Sequence, residues 1–386
     1  MSGPLHGIKV LDVTTSLSGP LAAGILADLG ADVIKIERPS APDRARVSGT
    51  RRGDISAMFH MANRGKRSIT LDLRDPADVQ IAHALARDAD VFVENFRAGV
   101  TERLGIDYAT LSGLNDRLIY VSINGFGSTG PYADRPAFDS LLQAYGGIAA
   151  LQADDRGEPQ LVGHAVVDKS TGMMGALTAL SALVARERGA GGQHVEVSML
   201  EVAAWFSFLD TAGSVILPDA PRPAGSDDAT SGKRITLRFA DGWGMLSLGH
   251  DDSFRGSCEA FEVDLSDKPR LLTMQGRDAD RPGYEAVLAQ FRAKAAGLPL
   301  APTARRLLAA GAMFAEVLEP AQIPANEQAI ARRLFVESRH PLAGRVVEPR
   351  LPAVYSKTQP DDPRPSPPLG QHDDEVRSEL LGRSHA

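Results

Sequence analysis

The stretch GIKVLDVTTSLSGPLAAGILADLGADVIKIER (residues 7–38) predicts a β-strand, an α-helix and a second β-strand in succession. Gly7 to Val13 is rich in aliphatic side chains and is interpreted as a buried strand, and a similar run extends from Asp32 to Ile36. Pro20 suits the first turn of the intervening helix, and Gly30 suits its C-terminal end. Two such strands joined by a helix form the unit from which α/β domains are built.

Strands and helices continue to alternate further along the chain. The predicted strands are 63–73, Asp90–Glu94, Leu118–Ile123 and Gln193–Ser198, and the predicted helices are 75–89 and Met173–Arg188. This alternation predicts an α/β fold with a doubly wound, mostly parallel sheet that is Rossmann-like. Ligands of such sheets bind outside the carboxyl ends of the strands. The residues at those ends are therefore the candidate pocket: Ser18, Arg38, Asn95, Phe96, Asn124, Gly125 and Asp168.

The composition changes along the chain and predicts two domains. Residues 1–217 are expected to form the large domain, and residues 218–234, rich in Pro, Gly, Ser and Asp, a linker out of it. Residues 235–330 then form a second, smaller α+β domain, which opens with a hairpin and ends with a helix over 312–318. Residues 331–386 form a C-terminal segment of short strands, a Pro-rich stretch and a short helix.

Length and composition limit the classes of function. With 386 residues, of which 43% are hydrophobic, the chain is long enough for two domains with a substantial core. Its formal net charge of −7 argues against nucleic acid or an anionic membrane as a partner, so any anion site must be local. Cys258 is the single cysteine, which excludes an intrachain disulfide and fits a reducing cytoplasm. Because no window reaches about 18 apolar residues, we predict a cytoplasmic protein.

One aspartate precedes a helix of small residues in HAVVDKSTGMMGALTALSAL (residues 164–183). His164 to Val167 is interpreted as a short buried run, and the helical spacing is regular from Met173, so Asp168 is expected at the mouth of the helix. Free backbone N–H groups and the helix dipole favour its ionised form, whereas burial disfavours it. Such a carboxylate can act as a nucleophile. The alternative is that Asp168 only caps the helix, as many aspartates do.

Cations gather near predicted strand ends in a chain that is acidic as a whole: Arg38, Arg64, Lys66 and Arg67. Phosphate binding and a solvated turn both explain this cluster, and the residues alone leave both open. Glu37, after the second strand, is typical of dinucleotide-binding folds, but the GxGxxG pattern is absent, which argues against NAD. We expect neither a metal site nor a permanently bound cofactor.

Segments spread over nearly the whole chain resemble the class III CoA-transferases, the CaiB/BaiF family, to which the α-methylacyl-CoA racemases are related. These segments are VLDVTTSLSGPLAAGILADLGADVIKIERP (10–39), NRGKRSITLDL (63–73), ADVFVENFRAGVTERLGIDY (89–108), INGFGSTGPYADRPAFD (123–139), VVDKSTGMMGALTALSALVARERGAGGQHVEVSMLE (166–201), RRLFVESRHPLAG (332–344) and PLGQHDDEV (368–376). The resemblance implies a large doubly wound domain closed by the returning C-terminal segment, a small domain, and a homodimer of two interlocked chains.

The resemblance also implies a chemical route. The family's aspartate nucleophile falls on Asp168, which would attack an acyl-CoA thioester to give a mixed anhydride and would then form a thioester with CoA. An acceptor carboxylate would receive the CoA through a second anhydride. A carboxylate suits this task because an anhydride or thioester conserves group-transfer energy that a serine ester would lose, and exclusion of water then favours transfer over hydrolysis.

Further roles follow from the resemblance, position by position. Basic residues that contact the nucleotide end of coenzyme A in the family fall on Arg38, Lys66, Arg67 and Arg103. Asn95 and Phe96 lie in the segment that resembles the CoA-binding loop. Leu17 and Ser18 fall at the mouth of the active site, and Asp139 is an acidic residue near the nucleophile. For Asp139, a loop residue that hydrogen-bonds its own backbone is an equally good interpretation.

The chain departs from the family it resembles at positions that bear on the type of reaction. Formyl-CoA transferases carry a glutamine where Leu17 stands, which argues against formyl or oxalyl chemistry. Racemases carry a histidine where Phe138 stands, and without it a two-base proton exchange is hard to build. In place of a glycine-run lid the chain reads LGHDDSF, which leaves His250 and Asp251 as candidate lid residues. His164 is interpreted as a core or supporting histidine.

Three hypotheses follow from these observations. The first is a CoA-transferase that moves coenzyme A between an acyl-CoA and a carboxylic acid, with Asp168 as nucleophile. The second is an isomerase of the α-methylacyl-CoA racemase type, against which Phe138 speaks. The third is a CoA-binding protein without turnover, or a dinucleotide enzyme built on the same strand–helix–strand pattern.

Overall fold

The computed structural model describes residues 2–154, 156–211, 213–219 and 234–383. The chain divides into two compact units, of which the first combines Met1–Ser207 with Ile330–Ala386 and the second is Phe208–Ala329. The predicted linker, residues 218–234, falls almost entirely on 220–233, which lie outside the described residues.

The first unit contains, in chain order, β1 (Lys9–Asp12), α1 (Ser18–Asp28), β2 (Asp32–Glu37), β3 (Arg51–Arg52), β4 (Ile55–Ser56), α2 (Ala57–Asn63), β5 (Arg67–Thr70), α3 (Pro76–Arg87), β6 (Val91–Glu94), α4 (Val100–Leu104), α5 (Tyr108–Leu114), β7 (Ile119–Asn124), α6 (Asp139–Tyr145), α7 (Ile148–Leu151), α8 (Val166–Ala185), β8 (Gln193–Ser198) and the start of α9 (Met199–Thr211).

The centre of this unit is a six-stranded sheet in the order β5-β2-β1-β6-β7-β8. Every neighbouring pair is parallel, as the sequence predicts. The strand order reverses between β1 and β6, so the loops that follow these two strands diverge and leave a crevice at the carboxyl edge. This strand order is the one found in dinucleotide-binding sheets, where ligands occupy that crevice.

Helices cover both faces of the sheet. Small and branched side chains of α1 and α8, such as Ala22 and Ala179, pack against Val10 and Val121 on one face. On the other face, α3 and α5 pack against Leu11, Ile36 and the ring of Phe92. The alternation of inward-facing residues along each strand follows from the two-residue repeat of β-structure.

The contact between α1 and α8 depends on two glycines. A Cβ atom on Gly172 would lie 2.8 Å from the carbonyl oxygen of Ser18, and one on Gly175 would lie 3.1 Å from the Cβ atom of Ala22, both in α1. Because neither position leaves room for a side chain, the two helix backbones approach each other closely at the carboxyl edge of the sheet. The first turns of both helices therefore meet beside the crevice.

The C-terminal segment returns to the first unit through β12 (Phe335–His340), β13 (Gly344–Pro349) and a final helix, Asp373–Arg383. Val376 of this helix is fully buried in the core under α3 and α5. Arg67 at the start of β5 bonds Glu375 and Glu379 of the same helix at 3.0 and 2.8 Å. The last helix is therefore part of the core of the first unit.

The second unit contains α10 (Gly213–Ile216), β9 (Arg234–Arg238), β10 (Trp243–Ser247), α11 (Asp251–Ala260), α12 (Met274–Ala279), α13 (Arg281–Ala296), α14 (Leu300–Ala309), β11 (Met313–Glu316) and the start of α15 (Glu327–Ala331). Its antiparallel sheet has the order β11-β10-β9, and Phe239, Phe254 and Phe291 lie in its core. The predicted helix over 312–318 is wrong, because this segment forms strand β11 beside β10. None of the helices in the described ranges has the length and apolar character needed to cross a bilayer.

We expect Gly172→Val to destabilise the first unit, because its side chain would collide with the Ser18 carbonyl and separate α1 from α8. The free energy of unfolding in urea should fall by about 1–3 kcal/mol, as is typical of overpacked cores. Gly113→Ala is a matched control, because a Cβ atom there meets nothing within 4 Å. Equal stability of the two variants would show that the contact between the helices tolerates a side chain.

Candidate active site

A cavity of about 730 Å³ opens at the carboxyl edge of the parallel sheet, where the loops after β1 and β6 diverge. The loop after β7, the start of α6 and the first turn of α8 complete its walls. Of the predicted site residues, these line it: Ser18, Asn95, Phe96, Asn124, Gly125, Phe138 and Asp168. The structure therefore brings together side chains that are up to 150 positions apart in the sequence.

Asp168 lies in the first turn of α8, which begins at Val166 and not at Met173. The run from His164 to Val167 was predicted to precede the helix. Val166 and Val167 are instead the first two residues of α8. The residue before the helix, Ala165, offers no side-chain cap. Asp168 is the third residue of the helix and not the residue that precedes it.

Asp139 caps this helix from another element. Its Oδ1 accepts the backbone N–H of Val167 at 2.8 Å and that of Asp168 at 3.0 Å, while its Oδ2 accepts the side-chain amide of Gln143 at 2.6 Å. Two of the free N–H groups at the helix start are thereby satisfied from α6. The carboxylate of Asp168 is left available to the cavity.

The surroundings of Asp168 tune its ionisation. Burial, and to a smaller extent the charge of Asp139, raise its pKa to about 6, while the hydroxyl of Ser18 opposes the shift. At about pH 7 most of such a carboxyl group is still ionised. Asp168 is therefore an ionised but poorly solvated carboxylate, which is the state that a nucleophile requires.

Two cations that the sequence analysis missed line the cavity: Arg97 and Arg135. The Arg135 guanidinium lies 3.6 Å from the centre of the Tyr132 ring and donates a hydrogen bond to the Tyr145 hydroxyl at 2.9 Å. The exposed side chain of Arg97 makes no hydrogen bond or ion pair with any residue that the structure describes. Its position in the segment NFR, directly after the predicted loop residues, was the available signal.

Lys66 and Arg67 are used inside the fold and do not reach the cavity. The buried ammonium of Lys66 donates to Asp12 at 2.6 Å, to the Pro20 carbonyl at 2.8 Å and to Asn63 at 2.9 Å. Burial lowers its pKa to about 8. Besides its bonds to the last helix, Arg67 pairs with Asp32 at 2.6 Å, at the amino edge of the sheet. Neither residue is placed to bind coenzyme A in this cavity.

The other predicted residues lie around the cavity or away from it. Arg38 lies 3.4 Å from Asp72 and Arg103 is exposed on α4, and neither lines the cavity. Leu17 directly precedes α1. His164 is exposed and its Nδ1 lies 3.2 Å from the Lys169 ammonium. In the second unit, His250 directly precedes α11. Also in that unit, Asp251 accepts the backbone N–H of Met274 at 2.6 Å.

A row of polar residues from neighbouring strands forms another wall. Glu94, Ser122 and Glu196 are paired across β6, β7 and β8 and line the cavity together with His194. Burial raises the pKa of Glu94 to about 7, and its carboxyl accepts the backbone N–H of Phe96 at 2.8 Å. The sequence did not predict this wall, because single polar residues in separate strands have no distinctive spacing. Nowhere in the described ranges do three or more His, Cys, Asp or Glu side chains form a cluster suited to a metal ion.

Comparison with known proteins identifies the family. Residues 5–373 match the sequence model of the family described as CoA-transferase family III. The chain belongs to this family. It is 33% identical to a succinate–glutarate CoA-transferase of Agrobacterium fabrum, over 98% of this chain and 96% of the relative. An acetyl-CoA:oxalate CoA-transferase of Acetobacter aceti is 35% identical over 95% of this chain and 92% of its own length.

A solved structure supports the same assignment. The crystal structure of a CaiB/BaiF family protein from Brucella suis superposes with a TM-score of 0.86 at 31% identity, covering 98% of this chain and 100% of that one. The predicted family is confirmed, and the protein is a family III CoA-transferase. Its large parallel sheet and smaller antiparallel sheets are those of the family's structures.

We expect Asp139→Asn to lower the pKa of Asp168, because it removes a negative charge while an amide oxygen remains to accept the two backbone N–H groups. The acidic limb of the pH dependence of kcat/KM, and the midpoint of Asp168 in a ¹³C NMR titration, should both move to lower pH. Asp134→Asn on the preceding exposed loop is the matched control. An unchanged midpoint in Asp139→Asn would mean that burial alone sets the ionisation of Asp168.

Proposed function

We propose that Asp168 is the nucleophile of this CoA-transferase. Its Oδ attacks the carbonyl carbon of an acyl-CoA thioester, the C–S bond breaks, and the CoA thiolate leaves with the electron pair. The thiolate then attacks the aspartyl carbonyl of the mixed anhydride, which expels the donor acid as its carboxylate and leaves an enzyme thioester. The observation that carries this proposal is the position of the half-buried Asp168 carboxylate at the wall of the cavity, beside the Ser18 hydroxyl.

The second half of the reaction reverses the first with another acid. The acceptor carboxylate attacks the enzyme thioester and releases the CoA thiolate, which then attacks the acyl carbonyl of the new anhydride. This step forms the product acyl-CoA and restores the Asp168 carboxylate. Because every intermediate is an activated acyl group, access of water must be limited, and the partial burial of Asp168 serves this requirement.

Two arginines support a place for coenzyme A in the same cavity. The guanidinium groups of Arg97 and Arg135 are the cations that line it in the described part of the chain. Their planar, permanently charged groups suit the phosphates of the nucleotide end. We propose that they bind these phosphates while the thioester lies against Asp168. The relatives' names include succinate, glutarate, acetyl-CoA and oxalate, so the substrates here are proposed to be an acyl-CoA and a small carboxylic acid.

A second copy of the chain is proposed to complete the enzyme. Apolar side chains repeat along one face of α8 and remain exposed: Met173 at 63%, Leu177 at 58% and Val184 at 51%. An exposed stripe of this kind usually marks an interface between proteins. The resemblance to the CaiB/BaiF family favours a homodimer as the partner, and the proposed location remains the cytoplasm.

Intact-mass spectrometry tests the nucleophile. After mixing with a panel of acyl-CoAs, the wild-type enzyme should gain an acyl or CoA adduct that hydroxylamine removes, and peptide mapping should place it on Asp168. Asp168→Ala and Asp168→Asn should form no adduct and lose at least about 10⁴-fold in kcat, as is usual when a covalent nucleophile is removed. Their dissociation constants for CoA should stay within about threefold of the wild type, because phosphate binding lies elsewhere. Transfer at the wild-type rate by either variant would reject the mechanism.

Titration calorimetry tests the arginines. Arg97→Ala and Arg135→Ala should each raise the dissociation constant for CoA by about ten- to a hundredfold, because hydrogen bonds to charged groups contribute about 1.5–3 kcal/mol. The loss should be smaller with pantetheine, which lacks the phosphates. Arg117→Ala is the matched control, since that exposed arginine lies before β7 at the opposite edge of the sheet. Equal CoA affinity in all three variants would place the phosphates elsewhere.

A further inference from the structure

Buried polar side chains hold the loop between β1 and α1. The backbone N–H of Thr14 donates to Asp12 at 2.9 Å, and its carbonyl accepts the Lys35 ammonium at 2.7 Å. The N–H of Ser16 donates to Asp43 at 3.0 Å. Each of these partners is buried. These three buried partners, none of which lines the cavity, therefore fix the backbone of the loop.

The side chain of Asn95 makes two further hydrogen bonds to this loop. Its Oδ1 accepts the backbone N–H of Thr15 at 2.9 Å, and its Nδ2 donates to the carbonyl of the same residue at 2.8 Å. A side-chain amide that bonds both groups of one residue imitates a neighbouring strand. Asn95 directly follows β6, the strand beside β1, so this amide continues their pairing past the end of the sheet.

The turn that carries Asn95 is itself fixed. The carboxyl of Glu94 accepts the backbone N–H of Phe96 at 2.8 Å, which holds the chain on both sides of Asn95. The amide of Asn95 is thus committed to Thr15 through one oxygen lone pair and one N–H. These two bonds engage half of the hydrogen-bonding capacity of the amide within the protein itself.

The residues after Thr15 need this restraint. Ser16 has a φ of 72°, in the left-handed region that a residue with a Cβ atom adopts only at some cost. Ser18 follows two positions later at the start of α1, where its side chain is buried beside Asp168. If Thr15 moved, the strained Ser16 beside it would move as well. The Ser18 hydroxyl would then change its position relative to the Asp168 carboxylate.

We propose that Asn95 is a positioning residue, whose side-chain amide fixes Thr15 and thereby the turn that places the Ser18 hydroxyl against the Asp168 carboxylate. This inference rests on the proposed role of Asp168 as nucleophile. It gives Asn95 a task in orienting the reacting group, in place of the CoA contact that the family resemblance implies. Misplacement of reacting groups by about 1 Å can slow a reaction about a hundredfold.

The test compares Asn95→Ala with Asn115→Ala. Asn115 is a matched control because its Nδ2 also bridges backbone groups, the carbonyls of Ala86 and Ala89 at 3.0 and 2.8 Å, at the amino edge of the sheet. In Asn95→Ala, hydrogen exchange of the Thr15 and Ser16 amides should become at least about tenfold faster. The dissociation constant for free CoA should stay within about threefold, and acylation of Asp168 at saturating acyl-CoA should slow by about ten- to a hundredfold. Asn115→Ala should change none of these quantities.

Asn95→Asp provides a second variant in case the alanine variant does not fold. It keeps an oxygen for the Thr15 N–H but places a carboxylate oxygen against the Thr15 carbonyl. The Thr15 amide should stay protected while acylation slows. A raised dissociation constant for CoA with an unchanged saturating rate would show that Asn95 contacts CoA and would overturn the proposal, as would unchanged exchange in Asn95→Ala. Absence of any acylation in the wild-type enzyme would instead reject the proposed function, while exchange and CoA affinity would still decide the role of Asn95.

Discussion

The close contact between α1 and α8 is the constraint on which the site depends. Both helices start at the carboxyl edge of the sheet, and glycines at 172 and 175 let their backbones approach without a side chain between them. Ser18 and Asp168, which are far apart in the sequence, become neighbours through this approach. The polar first turns of two helices then meet at the crevice left by the reversal of strand order. Packing between small residues thus decides where the proposed nucleophile lies.

Buried charges stabilise the geometry around this contact. Asp12 lies 2.6 Å from the Lys66 ammonium and 3.8 Å from that of Lys35, and Lys35 in turn lies 3.5 Å from Asp43. Two acids and two bases balance each other, so this cluster carries no net charge. Removing one member would leave an unpaired charge, which typically costs about 3–5 kcal/mol. Such a cluster contributes little to net stability but fixes the backbone of the loop above it.

The sequence predicted those parts of the fold that follow from the periodicity of neighbouring residues. The βαβ repeat predicted the parallel sheet and the edge at which Asp168 lies, because the chain alternates buried strands with helices. The cap of α8 could not be predicted, since Asp139 is 29 positions from Asp168 and reaches it only after folding. Lys66 and Arg67 also have remote partners, Asp12 and Asp32, so the residues alone left phosphate binding and a solvated turn open, and the family resemblance implied a CoA contact that the cavity does not use. Strand β11 was mistaken for a helix because seven apolar-rich residues do not distinguish the two periods.

The return of the last helix to the first unit bears on how the protein is made. Val376 lies in the core under α3 and α5, and Ser2 near the other end of the chain donates a hydrogen bond to Asp361 at 2.7 Å. Unit 2 is inserted in the sequence between the two halves of unit 1. All six strands of the parallel sheet lie within residues 9–198, but Val376, which completes the core under α3 and α5, is synthesised only after unit 2. With synthesis at about 5–20 residues per second, the roughly 180 residues between β8 and Val376 leave this part of the core uncovered for about 10–40 s.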